Sequence, residues 1–489
     1  MNGIERLAYG VLFGALGRPT VPRWIEQPLS AGLGGFVLFG RECVTTSQLQ
    51  DLTAALRRLA PTIHLAVDEE GGDVSRLEGT GLLSTPGNLA LGQIDDLEVT
   101  RACAHQIGLG LRTVGVDWDF APAVDTAVNP LTPNGVRCFG PDRARVAEHA
   151  AAWIRGLQEA GISACAKHFP GHGLSGTDAH LGTPDLDLSR QQLIDEYLDP
   201  FRAAVDAGVD SIMVSHPRVR ALDDLPASIS RPVITGLLRE ELGYDGVVIT
   251  DALEMKGVAR VADMPTAAVL ALQAGADALC LGSWSFGDDV DRVVTAITDA
   301  VAAGDLSVGR LEQATERLAA MGRADATPAD DLDPGLGLRL ARQVIKISGD
   351  PRIDGRAVLV VRMEPDVSPA AGRGHGDLEG LLEQQGRVVE RIAVSSGTYN
   401  GDGMVIAGIS EFRAEYGDAG DVVLLVRSPH RYDWQQQILD RILAASTDVV
   451  VLDMGFVQRD FSEARGWLRT YGGSQACATA AVEALTGRS

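Results

Sequence analysis

A chain of 489 residues has room for two or three domains, or for one large barrel and a smaller unit. Its 43 basic and 66 acidic residues give a formal charge of −23, which argues against nucleic acid and anionic membranes as partners, since both need a basic face. Hydrophobic residues at 45% and charged residues at 22% describe an ordinary globular composition, and no run of 18 apolar residues offers a membrane span.

The N-terminal MNGIERLAYGVLFGALG places Glu5 and Arg6 early and has only a short apolar run. It lacks the basic start and long apolar core of a signal peptide, so a cytoplasmic protein is expected. The six cysteines (43, 103, 138, 165, 280 and 477) show neither a CxxC nor a metal spacing, and read as thiols of a reducing compartment.

Short β-like runs then recur, each followed by a helical stretch. Strands are predicted near Val11–Phe13, Gly35–Phe39, His64–Val67, Gly115–Phe120, Ser163–Ala166, Ser211–Val214, Gly246–Thr250 and Ala278–Leu281. Amphipathic segments such as Thr46–Leu59, Arg143–Ala160, Ser189–Ala207 and Val290–Ala303 predict helices between them. Eight strands alternating with helices in roughly 300 residues is the pattern of a (β/α)8 TIM-like barrel, with a doubly wound open sheet as the alternative. Polar residues cluster just after the strand ends: Asp68, Glu69 and Glu70, then Asp119 and Asp125, Lys167 and His168, His216, and Asp251. A barrel brings those ends to one mouth, where active sites sit.

GRADATPADDLDPG, small and acidic with two prolines, predicts a linker over 323–337 between a barrel at 1–322 and a domain at 338–489. Beyond it AVLVV (357–361), VVERIAV (388–394), MVIAGI (404–409), DVVLLV (421–426) and DVVVLDMG (448–455) predict strands, with a helix near Trp434–Ala445. This is the pattern of a smaller α/β sandwich with a mostly parallel sheet. No GxGxxG or phosphate loop follows its first strand, so no cofactor is expected.

Candidate chemistry centres on KHFPGHGLSGTDAHLGTP, 167–184, which holds His168, His172 and His180 with Lys167 and Asp178 on a stretch that Pro170 and its glycines keep out of a helix. Only three lysines stand among 40 arginines (167, 256 and 346), which gives weight to the one that opens this stretch. Asp178 and His180 can meet where the backbone turns. The carboxylate then orients the imidazole and raises its pKa, making a general acid and base. Asp251, ending the apolar GVVIT, reads either as the cap of the next helix or as a carboxylate nucleophile. Arg137, Lys167 and His168 supply donors for sugar hydroxyls, or equally for phosphate or carboxylate, and Asp68 offers an acceptor for two neighbouring hydroxyls. His172, Arg76 and His216 read as supporting or structural. His168, His172, Asp178 and His180 have metal-ligand chemistry, but Pro170 spoils the helical face of a zincin and no HxH follows an early strand, so no metal is expected.

GGFVLFGRE, VDEEGGDVSRL, DWDFAPAVD, VRCFGPD, AKHFPGHG, TDAHLGTP and VVITDALEMKG occur in an order and spacing that resembles the family 3 glycoside hydrolases, and most closely their bacterial β-N-acetylglucosaminidase branch. The resemblance runs over about residues 5–320. It implies a (β/α)8 barrel, a retaining double displacement with Asp251 as nucleophile, and an Asp178–His180 acid/base dyad. It also implies sugar contacts from Asp68, Arg137, Lys167 and His168, and cis peptides within KHFP. DEEGGDV stands where the branch reads DQEGGRV; Asp73 is expected beside the sugar-binding mouth, where its reversed charge would alter the aglycone preference. The second domain resembles the α/β sandwich appended in some members.

The expected function is therefore an exo-β-N-acetylglucosaminidase acting on peptidoglycan fragments in muropeptide recycling. Its alternatives are a phosphorylase that uses phosphate in place of water and a non-catalytic sugar-binding protein. Its expected partner is a small saccharide; the sequence does not set the oligomeric state.

Overall fold

The computed structural model describes residues 3–176, 179, 182–322, 329–363, 376–395, 403–456 and 459–487. Eight parallel strands follow one another around a single sheet: β1 (Leu12–Gly14), β2 (Gly35–Leu38), β3 (His64–Val67), β4 (Trp118–Asp119), β5 (Ser163–Phe169), β6 (Ser211–Val214), β7 (Val247–Thr250) and β8 (Leu279–Cys280). β8 pairs back onto β1, and a bridge from Ile249 to Ala278 closes the ring. This is the (β/α)8 barrel the alternation predicts, and the open doubly wound sheet is excluded.

Strict alternation decides which side chains fill it. Phe13, Val37, Ala66, Trp118, Cys165, Met213, Ile249 and Cys280 form the inner core, while Leu12, Phe36, Leu65, Val67, Ala164, Ile212, Val248 and Leu279 join the larger core under the helices. Both faces are apolar because helices cover the outside and side chains plug the inside. Trp118 stands edge-on to Phe13 and Phe120, each 5.1 Å away, and its indole N–H donates to Ser211 Oγ at 2.8 Å.

The predicted helix Ser189–Ala207 is in fact three pieces. Ser189 caps a single turn, Arg190–Gln192, which widens into a π segment at Leu193–Tyr197 before Asp199–Asp206 resumes. Pro200 causes the break, since it has no N–H to give to the preceding turn and its ring needs that space.

A second sheet carries β9 (Lys346–Gly349), β10 (Ala357–Met363), β11 (Val388–Val394), β12 (Gly420–Val426), β13 (Val450–Asp453) and β14 (Gly466–Arg469), ordered β9-β14-β13-β12-β10-β11. Only the β9–β14 pair is antiparallel. Val358, Val360, Val423 and Leu425 face one apolar layer, and Leu359, Val361, Val422 and Leu424 the other, giving a three-layer sandwich. The run at 404–409 is not a strand: it lies in the helix Gly403–Tyr416, whose buried residues Val405, Ile409 and Phe412 recur at helical spacing. Leu336 and Gly337, read as the end of the linker, instead open the helix Leu336–Val344. No helix among the described residues is long and apolar enough to cross a membrane.

Candidate active site

A cavity of about 440 Å³ opens at the carboxyl ends of the barrel strands. Asp68, Arg137, Lys167, His168 and Asp251 all line it, so five residues proposed from sequence meet in one place. Asp178 and His180 lie outside the described residues. Of the neighbours read as supporting, Arg76 reaches Asp68 Oδ2 at 3.6 Å, and His216 is fully buried between Ser228 Oγ at 2.7 Å and the Ala252 carbonyl at 3.0 Å.

Asp68, Arg137, Lys167 and His168 are each held by a group of opposite charge. Lys167 Nζ, almost wholly buried, stands 2.7 Å from Asp68 Oδ1 and 2.7 Å from Glu70 Oε1. Glu70 also accepts two N–H bonds from Arg137, at 2.8 and 2.7 Å, in a bidentate fork. Burial alone would raise the Glu70 pKa; Arg137 and Lys167 outweigh it and hold the carboxyl far below its ordinary range. In return, burial would lower Lys167 and Arg137, yet their carboxylate neighbours keep both above their ordinary values. The sequence places Glu70 at the barrel mouth but gives it no role in the site. The available signal is charge parity, since two cations entering a barrel mouth require a buried counter-charge.

His168 is fixed from two sides. Its Nδ1 lies 2.7 Å from Asp125 Oδ2, and Arg137 points a guanidinium N–H at its Nε2 from 3.3 Å. A carboxylate on one side and a donor on the other place the ring proton on Nδ1. Asp125 also accepts from Asn134 Nδ2 at 2.8 Å and from the His172 N–H at 2.6 Å. Burial would raise its pKa, but His168 prevails and the carboxyl sits at about 2. The Lys167–His168 and Phe169–Pro170 peptides are both cis, as the resemblance implies, and β5 bulges between Ala166 and Phe169.

Asp251 follows β7 directly. Its Oδ2 accepts from Ser215 Oγ at 2.9 Å and its Oδ1 from the Ala252 N–H at 2.8 Å. Both bonds orient an acidic group at the mouth, and Ser215 comes from the end of the neighbouring strand β6. Glu254, which the sequence did not single out, turns its carboxylate onto the Ser283 N–H at 2.6 Å and the Trp284 N–H at 3.1 Å, shaping the rim.

Two expectations about the loop after β3 are corrected. Asp73 is not at the mouth: it is buried, pairs with Arg427 of the second domain and accepts from the Gly473 N–H at 2.7 Å. Glu69 is buried too. It accepts from Ser75 Oγ at 3.0 Å and from the Arg76 and Leu77 N–H groups at 2.5 and 2.8 Å, while burial pushes its pKa up to about 7. Neither residue lines the cavity.

A barrel mouth that gathers a held carboxylate with convergent donors and acceptors is the arrangement of a barrel enzyme's active site. The glycosyl hydrolase family 3 N terminal domain model matches residues 19–321, and the chain belongs to that family. It is 34% identical over 262 residues to a beta-hexosaminidase of Hydrogenovibrio crunogenus, covering 52% of this chain and 73% of the relative. It is 37% identical over 255 residues to one of Alkalilimnicola ehrlichii, covering 51% and 73%. The solved structure of a family 3 beta-N-acetylglucosaminidase from Paenibacillus sp. str. FPU-7 superposes with a TM-score of 0.86 at 28% identity, over 100% of this chain and 97% of that one. The likeness thus takes in both domains.

Proposed function

We propose that the protein is an exo-β-N-acetylhexosaminidase that removes terminal β-N-acetylglucosamine from peptidoglycan fragments in the cytoplasm, with retention of configuration. The observation that carries the reading is Asp251, its two oxygens each anchored by one donor, in the same cavity as Asp68, Arg137, Lys167 and His168. The names of the relatives supply the hexosaminidase class. Six unpaired cysteines suit a reducing compartment.

In this reading Asp68 and the cationic groups hold the sugar hydroxyls. Asp251 attacks the anomeric carbon as the bond to the leaving oxygen breaks, and that oxygen takes a proton from His180, oriented by Asp178. Water, giving a proton back to His180, then attacks the same carbon and frees Asp251. Both faces of the sugar are used in turn, so configuration is retained.

The rim favours an anionic aglycone. Lys256 lines the cavity, is exposed and has no ion pair or hydrogen bond among the described residues. On the same cavity Trp284 is 67% exposed, with the Arg41 guanidinium 4.9 Å from its ring. An aromatic face with a cation next to it suits a second sugar that bears a carboxylate, as peptidoglycan fragments do.

The test is turnover of nitrophenyl β-N-acetylglucosaminide with and without phosphate, with the first-formed anomer read by NMR. Free β-N-acetylglucosamine, at a rate indifferent to phosphate, is expected. An α-anomer would refute retention, and sugar 1-phosphate would make the enzyme a phosphorylase. A carboxylate-bearing disaccharide should show a higher kcat/KM than its neutral amide; equality would remove the case for peptidoglycan fragments.

A further inference from the structure

Among the described residues the second domain lines no part of the barrel-mouth cavity, yet it grips two loops that do. The first runs from Asp68 through Glu70 to Leu77. Its Gly71 and Val74 pair across a tight turn, with the Glu70 N–H donating to Val74 O at 2.9 Å, and Asp73 projects from the far side of that turn. There it meets Arg427, the residue after β12, and the Gly473 N–H of the turn after β14. Glu78, just beyond the loop, accepts from the Gln475 N–H at 3.0 Å, and Ser84 Oγ accepts from the Ala476 N–H at 2.9 Å. Both donors belong to the first turn of the helix Gln475–Thr486, whose N–H groups have no partner within the helix.

The second loop carries Arg137. His430 Nε2 lies 2.9 Å from the Pro130 carbonyl, and the Phe456 side chain sits against Gly135 so closely that a Cβ there would approach the Phe456 Cβ to 2.8 Å and its ring to 3.3 Å. Phe456 shares a small buried cluster with Leu89, Ala127 and Cys138.

These contacts converge on one pair of functional groups. Glu70 and Arg137 form the bidentate fork inside the site, and each sits on a loop braced from behind by the sandwich. We infer that the second domain is a positioning element for the sugar-binding loops, and that Asp73 and Arg427 are the positioning pair that sets where Asp68 and Glu70 stand. Asp73 bridges to the other domain through two separate donors, a guanidinium and a backbone N–H, and is buried while doing so. A pair that only cemented the domains would have no reason to lie three residues from Glu70.

The inference rests on reading Asp68 and Arg137 as sugar contacts, which hold the substrate alike in ground and transition states. Loosening them should raise KM more than it lowers kcat: about tenfold against less than about threefold in Arg427→Met. Arg427→Lys should recover most of the loss, and Asp73→Asn with Arg427→Met should be no worse than the weaker single variant. Arg465→Met is the control, because Arg465 pairs with Asp421 and Asp448 inside the sandwich at 2.9 and 3.0 Å; it should lower Tm and leave KM alone. Amide exchange over residues 69–77 should quicken in Arg427→Met and not in Arg465→Met. If Arg427→Met loses Tm as Arg465→Met does while KM and loop exchange stay at wild-type values, the inference is overturned. The exchange measurement needs no substrate, so an inactive wild type would count against the hexosaminidase reading and leave the brace to be judged by exchange alone.

Discussion

Asp251 carries two hydrogen bonds that an amide would keep in part, so Asp251→Asn preserves the local geometry and tests the proposed nucleophile. The expected result is a fall in kcat of about 10³-fold or more with a KM change within about threefold and an unchanged Tm. A fall confined to KM would place the residue in binding alone. Asp125 is a different kind of acid, buried and tied to His168. Its folded pKa of about 2 lies below the ordinary carboxylate value, so its stabilisation is present above about pH 4 and is lost as pH falls toward 2. The difference is about 2 kcal/mol at full strength. Urea unfolding of wild type and Asp125→Asn should therefore differ more at pH 6 than at pH 3; a gap that holds constant with pH would assign Asp125 a purely neutral hydrogen-bonding role. The site was largely legible at this scale because polar residues at strand ends stand out against apolar strands. Asp73 was misplaced for a physical reason: it shares a tight loop with Asp68, and sequence proximity to a mouth does not show which way a turn aims its side chain.

The helix Asn88–Ile94 shows how an element transmits position to the site. Asn88 Nδ2 donates to the Arg137 carbonyl at 2.8 Å, and a Cβ at Gly92 would come within 1.8 Å of the Phe139 carbonyl oxygen. The helix backbone thus lies directly on the segment that presents Arg137. Gly92→Ala must push the two apart, at a cost of about 1–3 kcal/mol and several degrees of Tm. Because Arg137 moves with Phe139, KM should rise as well. A lowered Tm with unaltered KM would separate this packing from the site. Elements with strong periodicity were legible from sequence: His64–Val67, Ser211–Val214 and Thr46–Leu59 match to the residue. Elements defined by tertiary partners were not. Lys346–Gly349 is wholly exposed and becomes a strand only by pairing with Gly466–Arg469. The apolar run at 404–409 is too short for periodicity to distinguish strand from helix, and burial of every fourth or third residue settles it.

Across the whole molecule the acids outnumber the bases by 23, so even complete pairing of every Lys and Arg would leave that many negative charges unmatched. Two electrostatic effects then compete as salt is added. Exposed pairs such as Arg101–Glu159 and Arg391–Glu383 are weakened, but pairs of that kind contribute little, because water already screens them. Repulsion among the unmatched acids is weakened too, and it acts over the whole surface, because the screening length shrinks from about 30 Å at 0.01 M salt to about 8 Å at 0.15 M. The buried links that join the domains, Asp73 with Arg427 among them, and the Lys167–Glu70–Arg137 cluster at the site are shielded from solvent ions. Repulsion is therefore the term that salt changes most, and Tm should rise by a few degrees between those two ionic strengths while KM for a neutral glycoside stays level. A falling Tm would show that the exposed pairs outweigh the net charge. A KM that climbs with salt would show that Lys167 and Arg137 are open to solvent ions, contrary to the burial of Lys167 and Glu70.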